Sequence, residues 1–319
     1  MTPLYPPVEP YQQGLLDVGD GNDLYWECCG NPDGAPAVLL HGGPGSGCTP
    51  GMRQLFSPDL YRIVLFDQRG CGRSIPHASA PETDLSVNTT DHLIAHVEVL
   101  RKHLAIDKWL VYGQSWGSML GLAYAERYPE RVSHAILVGI ATGRSSEIER
   151  LYAGLAASFP NAWKRLRELV PGAEGTHDLL VAYGRLLADP DPAIRQRTAR
   201  RFSEWEWETS VTVPGTVPPP SWMDPAFQLA RSRIVTHYFA HDCFVDDGAL
   251  VRDAGCLAGI PAVIIRGELD PLAPLRSEEL LAAAWPGSDL IIVQGAGHAT
   301  ADAGNREAII AASRRFAEG

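Results

Sequence analysis

The sequence predicts an α/β protein: a mostly parallel sheet with helices on both faces, carrying a large helical insertion. Three observations lead there. Short apolar runs bounded by Gly, Pro and Asn recur in the first half, helical patterns alternate with the later runs, and the alternation stops after Gly143 and resumes near the end of the chain.

Taken in order, residues 24–26, 37–40, 62–66, 109–112 and 135–138 read as buried strands. Residues 91–103 and 118–128 carry helical patterns between the later ones. From 144 to 248 the strand signals vanish and the chain becomes helical, aromatic and broken by proline, with 213–220 an irregular connection. A strand at 261–266, a helix at 277–285, a strand at 290–293 and a helix at 305–316 then resume the pattern. The expected organisation is one sheet domain in two parts, 1–143 and 249–319, with a helical cap at 144–248 inserted between them. No internal repeat or low-complexity tail interrupts it.

A chain of 319 residues with 45% hydrophobic content can bury a full core. Its net charge of −11 argues against nucleic acid or an anionic membrane surface as the main partner, which leaves a small peptide or a small amide or ester as the expected substrate. The first residues lack the basic start and apolar run of a secretory signal, and no stretch reaches the length of a membrane span, so a cytoplasmic protein is expected; the sequence leaves the oligomeric state open and is compatible with a monomer. The six cysteines show no metal-ligand spacing and read as structural thiols; Cys48 and Cys71 stand in loops near the candidate site.

That site starts from Gly113-Gln114-Ser115-Trp116-Gly117, a G-x-S-x-G pattern between an expected strand and an expected helix. Glycine at both flanks permits a sharp turn, and the following helix directs its N-terminal N–H groups toward developing negative charge. Ser115 is the candidate nucleophile, and the setting points to the α/β-hydrolase fold. A serine needs a base, and in this fold the order is Ser, acid, His. His298, in the small-residue loop Gly295-Ala296-Gly297-His298 after the last expected strand, fits the base. Arg266-Gly267-Glu268-Leu269-Asp270-Pro271 offers two carboxylates after the preceding strand. Asp270, at the outgoing end of the turn, is the better placed to orient His298, and Glu268 is the alternative. For the oxyanion, the Trp116 amide and an amide from the glycine-rich His41-Gly42-Gly43-Pro44-Gly45 are available, with Gly43 chosen within that loop. This chemistry calls for neither metal nor cofactor, and none is expected.

The motifs His41-Gly42-Gly43-Pro44-Gly45, Phe66-Asp67-Gln68-Arg69-Gly70-Cys71-Gly72-Arg73-Ser74, Gly113-Gln114-Ser115-Trp116-Gly117-Ser118 and Gly295-Ala296-Gly297-His298 together resemble the proline iminopeptidases. The likeness runs almost from end to end, including Trp205-Glu206 and His237-Tyr238-Phe239 in the insertion. It implies a metal-independent serine peptidase that removes an N-terminal proline, with the triad on Ser115, Asp270 and His298. On a helical wheel Glu206 falls within the apolar stripe of Ile194, Thr198, Ala199, Phe202, Trp205 and Thr209. An inward carboxylate there suits a substrate amine, the role the resemblance implies, or else a protein arginine.

The sequence also departs from that family. Where a second glutamate usually precedes His-Tyr-Phe this chain has Val235, and where Arg-Gly-Ile-Phe is usual it reads Val138-Gly139-Ile140-Ala141. Gly42, Val138, Ala141 and Val235 are therefore expected to join Glu206 in the substrate pocket. Joint loss of two opposite charges leaves no orphan, and Ala141 in place of an aromatic side chain enlarges the site. Two alternative functions follow: an amidase or esterase of a different small metabolite with a more apolar pocket, and a non-catalytic ligand-binding protein on the same fold.

Overall fold

The computed structural model describes residues 3–211, 216–272 and 276–318. In chain order, β1 (Gln12–Asp17), β2 (Asp23–Gly30) and β3 (Ala35–Leu40) are followed by the short helix α1 (Pro50–Arg53), β4 (Tyr61–Phe66), α2 (Thr90–His103), β5 (Trp109–Gln114), α3 (Trp116–Arg127) and β6 (Val132–Val138). A run of helices comes next: α4 (Ser145–Leu151), α5 (Pro160–Arg167), α6 (Gly175–Leu187), α7 (Pro192–Ser210), α8 (Pro220–Met223), α9 (Pro225–Ala240) and α10 (Ala249–Arg252). The chain closes with β7 (Ala262–Gly267), α11 (Ser277–Ala284), β8 (Ser288–Val293) and α12 (Ala303–Glu318).

The strands form one sheet in the order β1-β2-β4-β3-β5-β6-β7-β8. β1 and β2 run antiparallel to their neighbours, and every pairing from β4 through β3 to β8 is parallel. The centre of the sheet is buried on both sides, which explains why its strands read as continuous apolar runs. Side chains alternate between two cores. Val38, Leu40, Val111, Ala135 and Leu137 pack on one face, while Ala37, Leu39, Leu110, Tyr112, Ile136 and Val138 pack on the other. Each such burial contributes about 1.5–3 kcal/mol for a large aliphatic side chain. β1 escapes a sequence reading because Gln12–Asp17 holds only two adjacent leucines in an edge strand; its pairing with β2 defines it.

Among the described residues no strand lies between β6 and β7. The long helices there start on local chemistry. Asp191 and Asp224 cap α7 and α9 by accepting the amides of Ala193 and Phe227, at 2.8 and 2.7 Å, each before a proline that needs no donor of its own. α6, α7 and α9 pack on one another. The ends of this helical segment meet where the Ser145 amide donates to Asp247 Oδ1 at 2.9 Å. Of the connection expected at 213–220, residues 213–215 lie outside the described residues, and 216–219 are irregular. Among the described residues, no helix is long and apolar enough to cross a membrane.

Candidate active site

The parallel register brings the carboxyl ends of β3, β5, β6, β7 and β8 to one edge, where ligands of open α/β sheets bind. Ser115 leaves β5 there with φ 53° and ψ −124°, a left-handed backbone that costs a side-chain-bearing residue about 1–3 kcal/mol and persists only where its surroundings impose it. Close approach imposes it here. A Cβ on Gly113 would stand 2.1 Å from the Gly117 carbonyl oxygen, and one on Gly117 2.2 Å from that of Leu40, so both flanks admit only glycine. The Ser115 amide donates to the Val138 carbonyl at 2.9 Å, while Ser118 Oγ donates to the Ser115 carbonyl and accepts the Ala141 amide at 3.1 Å. Trp116 opens α3, so its N–H has no intrahelical acceptor.

Asp270 and His298 meet across the ends of β7 and β8. His298 Nδ1 donates to Asp270 Oδ2 at 2.6 Å, and Asp270 Oδ1 accepts the Leu272 amide at 2.9 Å. Burial pushes the imidazole's pKa down, but the charge and hydrogen bond of Asp270 push it up further, and the net shift is upward. The His298 loop is held from several sides. Asn305 Nδ2 donates to the carbonyls of Gly297 and Ala299, Asp302 accepts the Gly297 amide, and Gln114 donates to the His298 carbonyl at 3.3 Å. Glu268, the other candidate acid, is exposed and accepts the Gly295 amide at 3.0 Å. Gly139 forms the floor: with φ 56°, a Cβ there would stand 2.9 Å from His298 Cε1. Ser115 and His298 line one cavity, and no hydrogen bond joins their side chains among the described contacts.

Gly42 and Gly43 face the same cavity from the loop after β3. Gly43 has φ 124°, and a Cβ there would crowd the Gly45 nitrogen at 2.5 Å. His41 is buried and burial lowers its pKa; its Nδ1 donates to the Gly42 carbonyl at 2.9 Å and its Nε2 accepts the Gln68 amide at 3.0 Å. Cys48 and Cys71 are not poised nucleophiles, since burial pushes both thiols up.

The cavity measures about 570 Å³ and extends from Ser115 to a wall built by Tyr152, Trp205, Glu206, Trp222, Arg231 and Phe239. Ala141 and Gly42 line it. Val138 and Val235 do not, which corrects their expected place in the pocket. Alternation along β6 turns Val138 into the core on the opposite face with Ile136, and Val235 is fully buried within the other core. Glu206 does point inward, but it forms an ion pair with Arg231, one turn before Val235 on α9. The guanidinium also lies 4.6 Å from the centre of the Trp222 ring. Sequence reasoning weighed a protein arginine for Glu206 without naming one. It also missed Gln68, Gln114, Gly139 and Asn305 as groups that hold the site.

Against known proteins, the alpha/beta hydrolase fold family matches residues 36–302. The chain is 51% identical to a probable proline iminopeptidase of Streptomyces coelicolor, across 99% of this chain and 98% of that protein. The chain belongs to the proline iminopeptidase family. A proline iminopeptidase of Xylella fastidiosa is 44% identical over 99% of this chain and all of its own length. The solved proline iminopeptidase of Mycobacterium smegmatis superposes with a TM-score of 0.66 over 96% of this chain and 99% of its own, at 19% identity, a likeness of fold. As a member of the proline iminopeptidase family on this fold, the chain is a serine hydrolase.

Proposed function

We propose that this serine hydrolase releases an N-terminal proline, or a similar residue, from small peptides through an acyl-enzyme on Ser115. The observation that carries the reading is the Nδ1–Oδ2 contact of 2.6 Å between His298 and Asp270 in the cavity that holds Ser115 on its strained turn. Because Nδ1 is committed to Asp270, Nε2 is the nitrogen that takes the serine proton. Ser115 Oγ then bonds to the substrate carbonyl carbon, and the oxyanion receives the amides of Gly43 and Trp116, each worth about 3 kcal/mol. Collapse breaks the C–N bond as His298 returns the proton to the leaving amine. Water, deprotonated by the same imidazole, then frees the acyl group.

Helices of residues 144–248 act as a cap over this edge of the sheet, and Glu206, held on the cavity wall by Arg231, anchors the substrate amine. Turnover of prolyl arylamides by the wild type, lost in Ser115→Ala, tests the reading; negligible prolyl turnover beside rapid hydrolysis of simple aryl esters would overturn the peptidase assignment. A second reading, an amidase or esterase of another small metabolite, draws on two observations. Ala141 leaves the cavity roomy, and the Glu206 charge is already balanced by Arg231. A panel of aminoacyl arylamides and esters separates the two.

A further inference from the structure

Gln68 sits between the two segments that present the oxyanion amides, and none of its polar groups is idle. Its side-chain Nε2 donates to the His41 carbonyl at 2.9 Å, and its Oε1 accepts the Trp116 indole Nε1–H at 3.0 Å. Its backbone amide donates to His41 Nε2 at 3.0 Å, which leaves the His41 Nδ1–H to donate to the Gly42 carbonyl. The carboxamide cannot be reversed, because a carbonyl faces its nitrogen and an indole N–H faces its oxygen. Gln68, His41 and Trp116 are all buried, so each lost bond would strand a polar group away from water.

We propose that Gln68 is a positioning residue for the oxyanion hole, a carboxamide clamp that fixes the spacing of the Gly43 and Trp116 amides. The inference rests on Ser115 being the nucleophile, as argued above. One end of the clamp holds the peptide two residues before Gly43, and the other holds the side chain of the residue whose own N–H is the second donor. Lone donors set on separate loops would drift with those loops, whereas an oxyanion is served only by amides about 2.7–3.1 Å from where it forms. Gln68 does not line the cavity that holds Ser115, so its effect falls on the transition state and not on ground-state binding.

Gln68→Met, near in shape but without either bond, and Trp116→Phe, which keeps the backbone amide, test this in the full chain. Phosphonylation of Ser115 by a fluorophosphonate reads the oxyanion hole directly, and p-nitrophenyl ester turnover separates kcat from KM. The clamp predicts that Gln68→Met slows phosphonylation and kcat by about tenfold or more with KM within about threefold, and that Trp116→Phe slows both by at least about threefold. In the double variant the losses should be less than multiplicative, since both substitutions remove the same Trp116–Gln68 bond. Unchanged phosphonylation in either folded variant, a loss confined to KM, or multiplicative losses would overturn the clamp. If Gln68→Met does not fold, Trp116→Phe decides alone by the same rate. A wild type that resists the probe overturns the nucleophile reading together with this inference; a labelled wild type with unaffected variants overturns the clamp only.

Discussion

Gly139→Ala perturbs the site without replacing any group that does chemistry. The residue has φ 56°, where an alanine costs about 1–2 kcal/mol. The new Cβ would stand 2.9 Å from His298 Cε1 and 3.0 Å from Nδ1. Ordinary carbon contacts lie at about 3.5–4.0 Å, so the ring must move by roughly half an ångström or more. It cannot move freely, because Nδ1 is bonded at 2.6 Å to an Asp270 side chain with no exposed surface. Overpacking of this kind costs about 1–3 kcal/mol, and with the backbone strain a total near 3 kcal/mol is expected. Misplacing a catalytic group by about 1 Å lowers rates about a hundredfold, so kcat/KM should fall by about ten- to a hundredfold.

The same change has a signed pH effect. Asp270 holds the His298 pKa up, so a stretched Nδ1–Oδ2 bond lowers it, and the acid limb of kcat/KM should move to lower pH. Thermal unfolding together with a pH–rate profile on an aryl ester or prolyl arylamide measures both parts. A variant with wild-type kcat/KM and an unmoved acid limb would refute the reasoning, whatever its Tm.

Three further outcomes follow. Asp270→Asn should lower kcat by about 10⁴-fold with little change in KM, because the imidazole loses its tautomer control; steady-state kinetics on the same substrates checks it. Arg231→Met should destabilise the fold by about 1–3 kcal/mol in denaturant titrations by leaving Glu206, half-buried on the cavity wall, without its cation, and adding Glu206→Gln should recover part of that loss. Glu278 is fully buried, and burial, opposed by its own backbone amide and by Arg266 and reinforced by Asp270 and Glu147, raises its pKa from 4.5 to about 7. A raised carboxyl pKa makes the folded state hold its proton longer, so stability is lost as pH rises through that window. Glu278→Gln should therefore gain on the wild type between pH 4.5 and 7 and keep that advantage above it, measured as unfolding free energy across pH.

The sheet was legible because its central parallel strands are buried on both faces and stand out as uninterrupted apolar runs. β1 was not, since an edge strand draws its stability from its pairing with β2 and has no pattern of its own. Ser115, Asp270 and His298 could be chosen because each sits just past a strand end, where topology alone brings distant segments together. Their supports could not. Gln68 reaches Trp116 across 48 positions and Asn305 anchors the His298 loop from α12, and no local period encodes either bond. Val138 and Val235 were misplaced for a different reason. Comparison by motif identifies a position without saying which face of a strand or helix it occupies. α9 is buried on nearly all sides, so its sequence could not single out Arg231 as the residue that turns toward Glu206.

The central claim is that Ser115 forms the covalent bond with assistance from His298 and Asp270. Mass-spectrometric mapping of the adduct left by a fluorophosphonate tests it most directly. One adduct on the peptide containing Gly113-Gln114-Ser115-Trp116-Gly117 is predicted, absent in Ser115→Ala and slow to form in Asp270→Asn. An adduct on any other residue, or undiminished labelling of Ser115→Ala, would contradict it.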